Sequence, residues 1–535
     1  MKWWDDLWLN ESFAEWASYQ SVSESTKYKE AWTEFNSLRK NWAYRVDQMT
    51  TTHPIATAME DLDAVRSNFD GISYAKGASV LQQLVAHVGR DNFIKGLRLY
   101  FAQHAYSNTT LKDLIDQLEA ASGRDLTPWV ATWLRTSGVN TLRPVVSIAG
   151  DTYQSIAIKQ EVPAIPVGSK ELRPHRLHVG LFDIQGDKLT RRTSCELDVA
   201  GELTEVSALA GEKVADLLLI NDKDQTYAKL RFDERSIATM KTHLGKLDDS
   251  LARGLIWASL WDSCRDGELA TSDYITIALN ALKTENDISI VTATYLQFET
   301  AIWAYANPAK RDAIRAQVAD ATAAMLAAAA PGSDHQMQFA RAFANNAITP
   351  AHCEKLKAIL NGSESGLVID AEIRWYLFIC GVKRGIFGPA DIEAESAKDN
   401  TAHGKQYTAY SYAAIPTKEA KAKAFTSITQ DNLSNTIHAY MCRGFNENIH
   451  HELLAGFVDQ YFDAILKVWE TKGFEIAETT ATLVFPSWVI SDETVKKAQH
   501  WLDVTGKDAS HALRRSVTEG RDAMQRALKA RAADK

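Results

Sequence analysis

The sequence predicts a mostly α-helical protein that carries one small β-sandwich. Apolar residues recur at helical spacing in the first quarter of the chain, alternate with a period of two in the next part, and return to helical spacing in the long remainder. Tryptophan follows the same division, since eight of the 15 lie between Trp3 and Trp133 and none between 134 and 256. A chain of 535 residues is too long for one hydrophobic core. We therefore expect three domains, with the bounds 1–138, 139–232 and 233–535.

The first domain is expected to be helical. Apolar residues at three- and four-residue spacing predict helices over 7–21 and 74–89. A polar run at 107–109 and Gly123 bracket a shorter predicted helix over 110–122.

The second domain is expected to be built from short strands. Segments with two-residue alternation or short apolar runs lie at 143–150, 153–162, 175–184, 188–199 and 216–221. Gly150, Gly186, Gly201 and Gly211 fall between them and predict turns. Several short strands in succession favour a small β-sandwich over a parallel sheet.

The third domain is expected to be a succession of helices. Alanine and leucine dominate it, and short polar breaks such as 331–332 and 361–362 separate the helical stretches. This arrangement predicts stacked α-hairpins of the HEAT or armadillo type. Because no sharp repeat period is present, we expect an irregular array.

Composition limits the partners and the location. A formal net charge of −9 argues against nucleic acid as a partner. The five cysteines are scattered and lack C-x-x-C spacing, so a reducing cytoplasm is expected. The most apolar stretch, 318–330, is short and contains Asp320, so no membrane partner is expected. A monomer is the plain expectation for the oligomeric state.

Glu11 is the first candidate site residue. It lies in the segment 3–16, where four tryptophans surround four carboxylates. Asn10 is expected to cap the following helix, which would place Glu11 in the first turn, where carboxylates complement the helix dipole. The aromatic residues around Glu11 suggest a second interpretation, in which the carboxylate is buried and needs a partner. A metal ion is one such partner.

Tyr74 is the second candidate site residue. Gly71 and Gly77 bracket it near the start of a predicted helix. One interpretation is a core tyrosine whose hydroxyl reaches the surface. The other is a phenol that donates a hydrogen bond to an oxyanion.

Together the W-L-N-E segment at 8–11 and the Y-A-K-G segment at 74–77 resemble motifs of the aminopeptidase N family of zinc metallopeptidases, of the gluzincin type. In that family an HExxH motif precedes W-L-N-E, and a Y-x-K-G motif follows. The resemblance implies a thermolysin-like catalytic subdomain in 1–138 and peptide substrates with a free N-terminus. It implies Glu11 as the third zinc ligand and Tyr74 as the residue that stabilises the tetrahedral intermediate.

The chain departs from the family in its histidines. None of the 14 forms an H-x-x-x-H pair, and His451-Glu452 begins an HExxH pattern that fails at Ala455. The two histidine ligands and the general-base glutamate are therefore expected upstream of this truncated chain. We expect residues 1–535 alone to bind no zinc tightly and to be inactive, although the full-length protein would be a zinc aminopeptidase. The alternative is a non-catalytic helical scaffold or peptide-binding module.

Overall fold

The computed structural model describes residues 1–535, apart from the side chains of residues 63, 64 and 67. The chain is mostly helical, with 61% of its residues in helices, and it contains small sheets. It divides into two compact units. The first comprises Met1–Ser263 with Thr276–Thr294, and the second comprises Cys264–Ile275 with Tyr295–Lys535.

The first unit begins with helices that pack around one aromatic and aliphatic core. Their bounds are α1 Leu7–Ser25, α2 Ala31–Glu34, α3 Asn41–Val46, α4 Leu62–Ser67, α5 Gly77–Val88, α6 Arg90–Gln103, α7 Leu111–Ser122 and α8 Thr127–Trp133. Two π-helical turns, Phe35–Lys40 and Ile72–Lys76, lead directly into α3 and α5. The core includes Trp16 of α1, Leu84 of α5 and Trp133 of α8.

Helix α7 shows how local sequence sets a helix start. Thr110 precedes it in an extended conformation, and Asp113 in its first turn accepts hydrogen bonds from the Thr110 amide and hydroxyl, both at 2.8 Å. This reciprocal arrangement satisfies amides at the start of the helix. Gly123 ends the helix with a φ of 70°, which a left-handed cap requires.

The strands follow in two sheets. Their bounds are β1 Thr141–Ala149, β2 Thr152–Glu161, β3 His175–Gln185, β4 Lys188–Val199, β5 Leu203–Glu205, β6 Leu217–Ile220 and β7 Lys229–Leu230. One sheet has the order β5-β2-β1-β7 and the other β4-β3-β6. The β1–β2 and β3–β4 pairs are antiparallel hairpins, while β7 runs parallel to β1. The hairpin turns contain Gly150 and Gly186, both at positive φ, as the glycine positions predict.

From residue 234 the chain is dominated by helices. Their bounds are α9 Glu234–His243, α10 Ser250–Arg265, α11 Thr271–Leu282, α12 Ile288–Thr300, α13 Arg311–Ala328, α14 Asp334–Asn346, α15 Pro350–Leu360, α16 Ala371–Val382, α17 Pro389–Ser396, α18 Ala402–Ala413, α19 Lys418–Gln430, α20 Asn435–Phe445, α21 His451–Leu454, α22 Val458–Thr471, α23 Phe474–Leu483, α24 Asp492–Asp503 and α25 His511–Ala533. Consecutive helices pack on each other, as α13 does on α14 and α24 on α25. Across the described residues, we find no helix with the length and apolar character that a membrane span requires.

Candidate active site

Helix α1 carries Glu11, and it begins at Leu7, where the apolar spacing over 7–21 predicts a helix to start, so only the expected cap at Asn10 is wrong. The helix starts at Leu7, so Asn10 lies inside it and is not the cap. Asp6 occupies the capping position, but its carboxylate accepts a hydrogen bond from the Leu111 amide at 3.2 Å, at the start of α7. Glu11 is therefore in the second turn. The helix dipole stabilises carboxylates mainly in the first turn, so it does not account for a carboxylate at this position.

Glu11 is half-buried on α1 and follows the buried Trp8 by three residues. Trp8 and Trp16 are buried in the core of the first unit, whereas Glu11 and Glu15 are four residues apart and share one helix face. The Asn10 side-chain amide donates to Glu11 Oε1 at 3.2 Å. Glu15 pairs with Arg39, which donates to its two oxygens at 2.6 and 3.2 Å.

The π-helical turn Ile72–Lys76 places Tyr74 next to Glu11. The phenol lies near the Glu11 carboxylate, and the ring centroids of Trp42 and Phe69 are 6.2 and 6.3 Å from that of Tyr74. Burial, followed by the interaction with the Glu11 carboxylate, raises the pKa of Tyr74 to about 12. The phenol therefore keeps its proton near neutral pH and can act as a donor. The structure thus brings together the two residues that the sequence analysis singled out.

A close approach between α1 and α5 explains the glycine of the Y-A-K-G segment. A Cβ atom on Gly77 would lie 1.9 Å from Ser12 Oγ, so this position admits only glycine unless Ser12 moves. The Ser12 hydroxyl donates to the Ser73 carbonyl at 2.7 Å, in the turn that holds Tyr74. Since Ser12 follows Glu11, this contact ties the two candidate residues together through their backbones.

Lys76 anchors the other end of the turn, a role that sequence reasoning did not identify. Its side chain is fully buried, its Nζ lies 2.8 Å from Asp47 Oδ2, and it donates to the Gly138 carbonyl at 3.2 Å. Burial lowers the pKa of Lys76 to about 8, although Asp47 opposes the shift. One feature of the sequence could have predicted this role. Lys76 lies within an apolar helical run, and a charged side chain buried there needs a partner.

The side chains that the structure describes do not form a complete zinc site. Among the described residues, no group of three or more His, Cys, Asp or Glu side chains is arranged to hold a metal ion. A catalytic zinc takes three protein ligands. Glu11 offers one carboxylate, and neighbouring Glu15 is engaged by Arg39.

Comparison with known proteins matches both ends of the chain. The family model described as the Peptidase family M1 domain matches residues 1–133, and the one described as the ERAP1-like C-terminal domain matches residues 217–526. Aminopeptidase N of Streptomyces lividans is 45% identical over 544 residues, which cover 100% of this chain and 63% of that protein. The chain belongs to the aminopeptidase N family.

Other relatives of this aminopeptidase N family member match shorter stretches. Tricorn protease-interacting factor F2 of Thermoplasma volcanium is 28% identical over 292 residues, which cover 54% of this chain and 34% of that protein. Leucyl aminopeptidase of Saccharolobus solfataricus is 37% identical over 161 residues, which cover 30% of this chain and 20% of that protein. The chain thus spans less than two thirds of the length of these relatives.

Proposed function

We propose that residues 1–535 form part of a zinc-dependent aminopeptidase that removes N-terminal residues from peptides. The observation that supports this most directly is the proximity of Tyr74 to Glu11, the two residues that the family motifs would place at the reacting centre. Two of the relatives reported above, those of Streptomyces lividans and Saccharolobus solfataricus, are themselves called aminopeptidases, which agrees with the proposal.

In this proposal Tyr74 acts as a hydrogen-bond donor. A donor that is fixed before the reaction and aimed at the developing oxyanion stabilises the transition state more than the ground state. A phenol is protonated at neutral pH, and the contacts of Ser12 and Lys76 hold its turn in place.

Glu11 would be one of three zinc ligands. The two histidines and the general-base glutamate are not in this sequence, so a further segment of the protein would supply them. We therefore propose that residues 1–535 alone bind no stoichiometric zinc and have negligible peptidase activity. One carboxylate without further ligands is too small a donor set for a tight zinc site.

The finer expectations from the sequence are part of the same proposal. They are the three-domain division, the thermolysin-like subdomain, the β-sandwich and the HEAT-like helical array. A monomer in the cytoplasm that acts on peptides with a free N-terminus completes it.

A chimera tests the proposal. The part of Streptomyces lividans aminopeptidase N that this chain does not cover is fused upstream of residues 1–535, and zinc content and hydrolysis of aminoacyl-aminomethylcoumarins are measured. We expect the chimera to hold one zinc and cleave substrate, the isolated chain to do neither, and the chimera with Glu11→Gln to lose both. The matched control is Glu24→Gln, an exposed glutamate on the same helix.

Two results would contradict the proposal. One is tight zinc and cleavage in the isolated chain, and the other is a chimera whose zinc and activity survive Glu11→Gln. A folded, zinc-loaded but inactive chimera, together with peptide binding by residues 1–535, would favour the scaffold alternative.

A further inference from the structure

Asp70 caps the turn that carries Tyr74. Its Oδ1 accepts hydrogen bonds from the amides of Ile72 at 2.9 Å and Ser73 at 3.3 Å, and its main-chain carbonyl accepts from the Tyr74 amide at 3.2 Å. These are the first amides of a helical run that continues through α5, and they have no partner within the helix. The position of the turn that carries Tyr74 therefore depends on the position of Asp70.

His53 holds the other side of the Asp70 carboxylate. Its Nε2 lies 3.1 Å from Asp70 Oδ2, and its Nδ1 lies 2.7 Å from the Pro54 carbonyl oxygen. The exposed fractions of the two side chains are only 13% and 11%. A carbonyl oxygen can only accept, so the ring donates from Nδ1 to Pro54, while Nε2 faces the Asp70 carboxylate. The imidazole therefore bridges Pro54 and Asp70.

The contacts link His53 to the candidate site in two steps. Phe69, next to Asp70, packs beside the Tyr74 ring. A shift of Asp70 would therefore displace both the start of the turn and the Phe69 ring that contacts Tyr74. The opposite end of the turn is fixed independently by Lys76 and Asp47. Loss of His53 would therefore loosen one end of the turn and leave the other in place.

We propose that His53 is a positioning residue that fixes Tyr74 against Glu11 through Asp70. This inference rests on the proposed function, because it assumes that Tyr74 acts in the reaction. His53 does not touch Glu11 or Tyr74 in any contact described above, and neither family motif contains it. The comparable case is a residue that orients a ligand or catalytic group, where substitution costs about 10- to 100-fold in activity.

Two conservative variants separate the Asp70 contact from the rest of the imidazole. Glutamine places its side-chain amide near the position of the histidine Nε2, so His53→Gln can still donate to Asp70. Asparagine places its amide near Nδ1, so His53→Asn can keep only the Pro54 contact. Both variants remove the imidazole ring.

The first measurement uses residues 1–535 with 3-fluorotyrosine incorporated at position 74. We expect one sharp fluorine NMR resonance in the parent and in His53→Gln. In His53→Asn we expect a shifted and broadened or split resonance, with the helical circular dichroism signal unchanged. Identical spectra for His53→Asn and the parent would overturn the proposal, whatever the fate of the proposed function.

The second measurement uses the zinc-loaded chimera. We expect His53→Asn to lower kcat by about 10- to 100-fold with KM changed little. His53→Gln should keep kcat within about threefold of the parent, because the glutamine amide can still donate a hydrogen bond to Asp70. Equal losses in both variants would show a merely structural role.

The variant Tyr74→Phe separates failure of this inference from failure of the proposed function. If Tyr74→Phe leaves kcat unchanged, the proposed function of Tyr74 fails. A loss of kcat in Tyr74→Phe without one in His53→Asn contradicts only the positioning role of His53.

Discussion

Lys76 and Asp47 form an ion pair that is closed to solvent, with 2.8 Å between Nζ and Oδ2 and no exposed surface on either side chain. Lys76 is the last residue of the π-helical turn that carries Tyr74, and it follows Tyr74 by two residues. A buried pair of this kind is costly to break, because removal of one partner leaves the other charge without compensation.

The first prediction concerns this pair. Lys76→Met should lower the free energy of unfolding by about 3–5 kcal/mol, because Asp47 is left charged and buried. The double variant with Asp47→Asn should recover part of the loss. Urea denaturation followed by tryptophan fluorescence measures both, with the exposed Lys112→Met as a control that should not shift the midpoint. A double variant no more stable than Lys76→Met would count against the pairing.

The second prediction concerns the contact between α1 and α5. Gly77→Ala introduces a Cβ that meets Ser12 Oγ at 1.9 Å, so we expect a loss of about 1–3 kcal/mol. Adding Ser12→Gly removes the obstacle and should restore part of the stability. Thermal unfolding is the measurement, and Gly456→Ala, whose Cβ would meet nothing within 4 Å, is the control. If Gly77→Ala left the free energy of unfolding unchanged, α1 and α5 could move apart without loss of stability, which would contradict the prediction.

The third prediction concerns the phenol. In a zinc-loaded active form, Tyr74→Phe should lower kcat by about 10²- to 10³-fold and change KM little, since the lost hydrogen bond acts on the transition state. Phenylalanine keeps the ring beside Trp42 and Phe69, so the fold should survive. Steady-state kinetics decide the matter, and a rise in KM at constant kcat would assign Tyr74 to substrate binding instead.

The fourth prediction concerns Lys421, a fully buried lysine in the second unit. Its ammonium donates to the carbonyls of Ala413, Gly444 and Phe445 at 2.7, 2.9 and 3.0 Å, at the ends of α18 and α20. Burial lowers its pKa to about 7 from 10.5. Between these values the unfolded chain binds more protons than the folded one, so stability should rise with pH across this window and be lost as the pH falls to 7.

Denaturation of the parent and of Lys421→Met between pH 7 and 10 tests this. The parent should gain stability relative to the variant by up to about 1.4 kcal/mol per pH unit, the value for one proton. Lys423→Met, an exposed lysine on the same helix, should behave like the parent. Parallel pH profiles for the parent and Lys421→Met would refute the assignment.

Sequence patterns predicted the strands of four or more residues and missed the two shorter ones. The segments expected at 143–150 and 175–184 are strands at Thr141–Ala149 and His175–Gln185, because two-residue alternation over many positions is distinctive. The strands Leu203–Glu205 and Lys229–Leu230 have only three and two residues, too few to show an alternation. Their pairing depends on β2 and β1, which are distant along the chain.

The candidate site could be predicted only where a motif carried it. Glu11 and Tyr74 were found through short motifs, and the structure places them in contact. The partners that hold their turn, Asp47 and His53, lie 29 and 17 residues from Lys76 and Asp70. No local pattern reports such contacts. The expected cap at Asn10 failed for a similar reason, since the start of α1 depends on tertiary contacts of the preceding carboxylates.

The π-helical turn Ile72–Lys76 makes the position of the phenol sensitive to chain length. Such a turn holds one residue more than the α-helical turn it interrupts. Deletion of Ala75 would let α5 extend backwards as a regular helix, and the residues before the deletion would rotate by about 100°. Tyr74 would then turn away from Glu11 while Lys76 kept its place. The one extra residue of this turn thus sets the direction in which the phenol points.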